Sequence, residues 1–219
     1  MKKIRFGVIG CGSIANEYHL PALQRVENAQ LVWACDLIEE RAQKAKEDFG
    51  FEKYTLDYHD IFKDESIDAV CIFTKIEMHA TLCIEAAAAG KHIFSQKPFA
   101  YNIEEGRKII RAVEAAGVRL TPSFMHSYMD GSIAARKIVE EGIIGEVRHI
   151  RMRNATKNPF DTAPSYGGCM MDIGCHGMDL IHTVSGADIE EVFALHLSPR
   201  DDTPRRESRF EWCGKYGDS

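Results

Sequence analysis

The 219-residue chain is long enough to bury a sizeable core and falls between one and two domains. Its 33 acidic side chains against 27 basic ones give a net charge of -6, and with no basic run this argues against nucleic acid and for a small-molecule partner. "MKKIRFGVIG" starts basic but has no apolar stretch of signal-peptide length, and nothing later has transmembrane length, so a cytoplasmic protein with no membrane partner is expected.

In chain order, apolar runs alternate with amphipathic ones: "IRFGVIG", a helix over 13–27, "AQLVWACD", a helix over 38–49, "IDAVCIFT", a helix over 77–89, then "HIFSQ". This is the rhythm of a parallel sheet covered on both faces. A further helix over 102–116 ends at Gly117 and leads into "VRLTPSF", which completes a doubly wound α/β unit over residues 1–124. The rhythm then changes over 125–219. A helix ("GSIAARKIVEEG"), a long alternating strand ("EVRHIRMRNATK"), a Pro/Gly loop over 158–168, a helix carrying "MMDIGCHGMD" and a strand ("EEVFALHLS") begin an α+β domain. Charged, Pro-containing sequence and one short aromatic piece, "FEWC", follow, so this second domain reads as incomplete. The seven cysteines show no paired CxxC spacing, and Cys35, Cys71 and Cys83 lie inside apolar runs, as structural thiols do in a reducing compartment.

"GVIGCGSIA" follows a predicted strand and opens a predicted helix, with Gly10, Gly12 and Ala15 matching G-x-G-x-x-G/A. Glycine lets the backbone turn tightly against a pyrophosphate, and the helix start at Ser13 and Ile14 offers unpaired N–H groups. Asp36 ends the second strand, where an acid can accept from an adenosine ribose and repel a 2′-phosphate. Leu37 and Ile38 follow it instead of Arg or Ser, so NAD is expected and NADP less so. Farther on, "HIFSQKPFA" delivers Gln96 and Lys97 just beyond a strand's carboxyl end, where ligands bind in open α/β sheets.

In "MMDIGCHGMD", Asp172, Cys175, His176 and Asp179 stand at helical spacings of three, four and seven and can share one face. A metal site is disfavoured, because no second cluster of His or Cys exists to complete a shell. A helix with Met170, Met171, Ile173, Leu180 and Ile181 must bury something, and for Asp179 and His182 a structural role is the simpler reading.

These motifs jointly resemble the Gfo/Idh/MocA family of nicotinamide-dependent sugar and cyclitol dehydrogenases, across the chain to residue 198. "GVIGCGSIA" is similar to its nucleotide loop. "TKIEMHATLCIEAAAAGKHIFSQKP" is similar to its Thr-Pro-x…His…Ala-Gly-Lys-His…Glu-Lys-Pro segment, and "YGGCMMDIGCHGMDLIHTVSG" to its Gly-Gly-Gly…Asp-x-Gly-x-His-x-x-Asp segment. The resemblance implies a Rossmann domain followed by an open-sheet domain, which relatives extend into a sheet that packs like subunits together. It places Lys97, Asp172 and His176 in catalytic positions, Thr74, His79 and Gln96 near the cofactor, and His126 and Tyr166 on the substrate side. Three positions depart from the pattern: Gln96 replaces Glu, Lys75 replaces Pro, and Cys169 replaces the third Gly. "FMHSYMD" also lacks the arginines that inositol dehydrogenases of the family often carry, which argues against inositol itself.

Under this resemblance the expected reaction is hydride transfer between nicotinamide and a secondary hydroxyl of a polyol. His176 takes the hydroxyl proton, Asp172 orients its imidazole, and Lys97 stabilises developing negative charge. Two other readings remain open at this point: a non-catalytic nucleotide-binding sensor, and a truncated member in which cofactor binding outlasts catalysis.

Overall fold

The computed structural model describes residues 2–153, 170–197 and 209–216, and the chain forms two compact units, Met1–Ser123 and Phe124–Ser219. In the first unit six strands run in the order β3-β2-β1-β4-β5-β6, every neighbouring pair parallel. They are β1 (Ile4–Ile9), β2 (Ala29–Cys35), β3 (Lys53–Thr55), β4 (Ala69–Ile72), β5 (His92–Ser95) and β6 (Leu120–Pro122). The order reverses at β1 and β4, and at such a switch point a crevice opens beyond the carboxyl ends of the strands.

Side chains along a strand alternate between faces, and the core divides accordingly. Ile9, Val70 and Ile72 pack with Leu82, Ala86 and Ile109 on one face, while Val8, Cys71 and Phe73 pack with Ala15, Leu20 and Ala45 on the other. All four residues of β4 are buried, which is why "AVCI" shows no alternation in sequence. The covering helices are α1 (Leu20–Leu23), α2 (Glu39–Phe49), α4 (His79–Ala88) and α5 (Ile103–Ala116), with the short α3 (His59–Lys63) between β3 and β4. Local chemistry sets their ends. Asn102 accepts from the Glu105 N–H at 2.9 Å to start α5, and Gly117 ends it.

Two departures from the sequence expectations lie in this unit. Where a helix over 13–27 is expected, the helix covers only 13–23: it is interrupted by a π turn, Ala15–His19, runs into α1 and stops at Leu23. The polar three-residue β3 and the five-residue α3 are too short to leave a periodic signal.

In the second unit, α6 (Asp130–Glu140) is followed by a π turn, Met170–Gly174, leading into α7 (Cys175–Ser185), and then by β7 (Ile189–Leu197) and β8 (Arg209–Tyr216). β7 and β8 pair antiparallel, so the aromatic piece "FEWC" belongs to a strand that its neighbouring charges conceal. The expected strand over 146–157 is corrected, since residues 147–153 are not in a strand. Backbone groups form a ladder only with a partner, and among the described residues the second sheet holds only β7 and β8.

Candidate functional site

Hydrogen bonds beyond the strand ends carry the ladder into the loops of the first unit. Gly10 N–H donates to Cys35 O, Phe73 N–H to Ile9 O, and Gln96 N–H to Ile72 O, each at 2.8 Å. Gly10, Asp36, Thr74 and Gln96 are therefore held side by side along the carboxyl edge of the sheet. Gly10 has a φ of +96°, and a β-carbon there would lie 2.6 Å from Phe73 O. At Gly12 a β-carbon would meet nothing within 4 Å. The fold itself does not require glycine at 12, so the open space beside it fits a ligand that approaches the backbone closely.

The loop's polar groups are pre-arranged. Asn16 Nδ2 donates to Cys11 O at 2.7 Å and to Gly12 O at 2.9 Å, which ties up two of the loop's carbonyls. Asp36 Oδ2 accepts from Cys11 N–H at 2.8 Å and Oδ1 from Ile38 N–H at 2.9 Å. Each carboxylate oxygen retains a lone pair for a further donor. Leu37, beside this acid, is 89% exposed. Ser13 is exposed, and Ile14 and Thr74 are partly buried, with Thr74 Oγ1 donating to Lys75 O at 3.3 Å.

His79 is 1% exposed, with Nδ1 2.9 Å from Pro98 O and Nε2 3.2 Å from Thr74 O. Its ring braces the Thr74 loop against the segment after β5. Burial pushes its pKa down, and its two carbonyl neighbours oppose that shift. Gln96, 8% exposed, accepts from Lys97 N–H at 2.7 Å. Lys97 follows half-buried, and its peptide bond to Pro98 is cis. The thiols of this unit are buried. Burial pushes Cys11, Cys35 and Cys71 up to about 12, aided at Cys11 and Cys35 by the Asp36 charge, and Cys83 to about 11. They serve as small apolar side chains.

In the second unit, His176 is 5% exposed and faces the turn Met125–Tyr128 that precedes α6. His126 stacks on it with ring centroids 4.1 Å apart, and Phe124 meets it edge-on at 6.1 Å. One helical turn farther, Asp179 accepts a short hydrogen bond from the Ser127 hydroxyl, and His182 lies 3.1 Å from Ala187 O at the helix end. Asp172 sits on the π turn before α7, whose i→i+5 bonds make it wider than an α turn. The spacings of three, four and seven that begin at Asp172 therefore do not define one α-helical face. Cys175 Sγ lies 3.5 Å from Asp172 O, and among the described residues no group of three or more His, Cys, Asp or Glu could hold a metal ion. Tyr166 and Cys169 lie outside the described residues.

Sequence reasoning missed Asn16 and His19. Asn16 looks like an ordinary helix residue, and only the structure shows it bridging two loop carbonyls. His19 is 8% exposed, stacked on Phe73 at 4.2 Å, with Nε2 3.1 Å from Gln96 Nε2.

Residues 4–124 match the oxidoreductase family with an NAD-binding Rossmann fold, and residues 133–211 match the GFO/IDH/MocA C-terminal domain. The chain belongs to the Gfo/Idh/MocA oxidoreductase family. The family's nucleotide domain coincides with the six-stranded parallel unit, so the loop at Gly10 and Gly12 belongs to an NAD-binding Rossmann domain. Myo-inositol 2-dehydrogenase of Thermotoga maritima is 32% identical over 193 residues, which cover 87% of this chain and 58% of that protein. A probable dehydrogenase from Thermotoga maritima has 31% identity and a TM-score of 0.84, over 91% of this chain and 60% of the other. The scyllo-inositol dehydrogenase of Lactobacillus casei, with bound NAD(H) and scyllo-inositol, has 25% identity and a TM-score of 0.76, over 90% and 61%. The chain thus spans about three-fifths of the length of these family members. No helix among the described residues is long and apolar enough to cross a membrane.

Proposed function

We propose that the protein is a cytoplasmic NAD-dependent oxidoreductase that transfers hydride between nicotinamide and a secondary hydroxyl of a sugar or cyclitol. The observation that carries the cofactor choice is the Asp36 carboxylate, tied to the glycine loop through Cys11 N–H and to its own turn through Ile38 N–H. A carboxylate fixed there accepts from ribose hydroxyls and repels a 2′-phosphate, so NAD is preferred over NADP. Gly10, Gly12, Ser13 and Ile14 would hold the pyrophosphate. His79 and Gln96 act from beneath by fixing the Thr74 and Lys97 backbones.

The cofactor supplies a ring that accepts or returns hydride. His176 takes the proton from the substrate hydroxyl, a task that imidazole commonly performs as a general base. Asp172 stabilises the charged imidazole, and Lys97 stabilises the negative charge that develops on the substrate oxygen. The stacking of His126 and Phe124 supports this role by restricting the orientation of His176. His126 and Tyr166 are assigned to the substrate side, and His126 with Ser127, where arginines stand in many inositol dehydrogenases, argues against inositol itself.

Titration of nicotinamide fluorescence with NADH and NADPH tests the cofactor assignment. NADH should bind at least about tenfold more tightly, a difference of about 1.4 kcal/mol, and Asp36→Ala should narrow the gap. Equal affinities in the unmodified protein would overturn it.

A further inference from the structure

We propose that His19, held as the neutral Nδ1–H tautomer by the Gln96 amide, is a positioning residue that fixes the backbone of Lys97. The role in turnover rests on the function proposed above; the hydrogen-bond chain itself does not.

Three groups in series determine the tautomer. The Lys97 backbone N–H can only donate, so the Gln96 side-chain atom 2.7 Å from it is the amide oxygen. The other end of that amide is then the NH2 group, which can also only donate, and it lies 3.1 Å from His19 Nε2. Nε2 must therefore offer a lone pair, which puts the ring's proton on Nδ1. The groups facing the ring are uncharged: Gln96, Phe73 stacked at an interplanar angle of 10°, and Phe94 edge-on at 77°. Burial also disfavours the imidazolium.

The chain spans two parts of the nucleotide domain. His19 closes the π turn Ala15–His19 that begins just after the glycine loop, and Gln96 is anchored by its own N–H on Ile72 O. The loop that receives the cofactor is thereby linked through one buried side-chain contact to the backbone that carries Lys97. A glutamate at 96, the family's usual residue, would offer Nε2 only an acceptor and require a proton there. Neutral His19 and Gln96 are a matched pair.

The full chain labelled with 15N answers this by two-bond imidazole correlations and the Lys97 backbone amide resonance. Wild type should show His19 protonated at Nδ1 and bare at Nε2, and Gln96→Glu should move a proton to Nε2. The Lys97 amide should shift in His19→Leu and return toward its wild-type position in His19→Gln, whose carbonyl can accept from Gln96. With NAD and a polyol that is turned over, His19→Leu should lower kcat about ten- to a hundredfold while NADH affinity stays within about twofold, and His19→Gln should recover most of the loss. An Nε2-protonated His19 in wild type, or a Lys97 amide insensitive to His19→Leu, overturns the proposal. A kcat no better in His19→Gln than in His19→Leu, with both variants folded, overturns the positioning role. If no polyol is turned over by any form, the proposed function fails, and the tautomer and amide signals still decide the link.

Discussion

A methyl group on Gly10 would sit 2.6 Å from a backbone oxygen at a φ of +96°, whereas on Gly12 it would meet no atom within 4 Å. Gly10→Ala should therefore lose about 2 kcal/mol of stability or more, through strain that the neighbouring β4 backbone cannot relieve. Gly12→Ala should stay within about 0.5 kcal/mol of wild type in thermal unfolding while weakening NADH binding. A Gly12→Ala protein that binds NADH normally would remove the pyrophosphate from that loop. His176→Ala should lower turnover by about two to four orders of magnitude and leave NADH affinity nearly intact, as steady-state rates beside a binding titration would show. At this scale the sequence marks residues whose chemistry follows from a position on one element, such as Asp36 at the end of a strand. It does not mark His19, whose role depends on Gln96, 77 positions away. Nor does it separate His126 as a ligand of substrate from His126 as a ring stacked on His176, because stacking is a tertiary fact.

The turn after α3 is tied to β2 through one acid. Asp64 accepts from the Ser66 hydroxyl at 2.6 Å and from Trp33 Nε1 at 2.8 Å, and these bonds, with the Ser66 hydroxyl foremost, hold its pKa down at about 2 from the ordinary 3.8. A depressed carboxylate pKa stabilises the fold above its ordinary value, and that contribution is lost as pH falls from 3.8 through about 2. Trp33→Phe removes one donor, so it should cost about 1 kcal/mol at neutral pH and raise the acid-unfolding midpoint followed by circular dichroism. An unchanged midpoint would show that the Trp33 bond contributes nothing to acid stability. Elements of the first unit were legible where apolar runs or apolar periodicity were strong, as in β1, β2, β4 and α5. Short β3 was not, and in the second unit β8 was hidden by charged flanks. The strand expected over 146–157 shows the converse, since alternation in "EVRHIRMR" specifies a face but cannot supply a partner strand. The π turn at Met170–Gly174 is likewise illegible, because spacing assumes an α-helical pitch that Asp172 does not have.

At the scale of the molecule, the chain's two units match the two domains of the Gfo/Idh/MocA family, and it covers 58% of the length of the Thermotoga maritima relative. The glycine loop, Asp36 and Lys97 belong to the first unit, and Asp172 and His176 to the second. The proposed reaction requires both. The most direct measurement is NAD reduction, followed at the reduced-nicotinamide absorbance, with a panel of cyclitols and aldoses and with NADH binding measured in parallel. The account predicts a rise with at least one polyol, lost in both Lys97→Ala and His176→Ala. A flat absorbance with every polyol, from a protein that binds NADH, would contradict it.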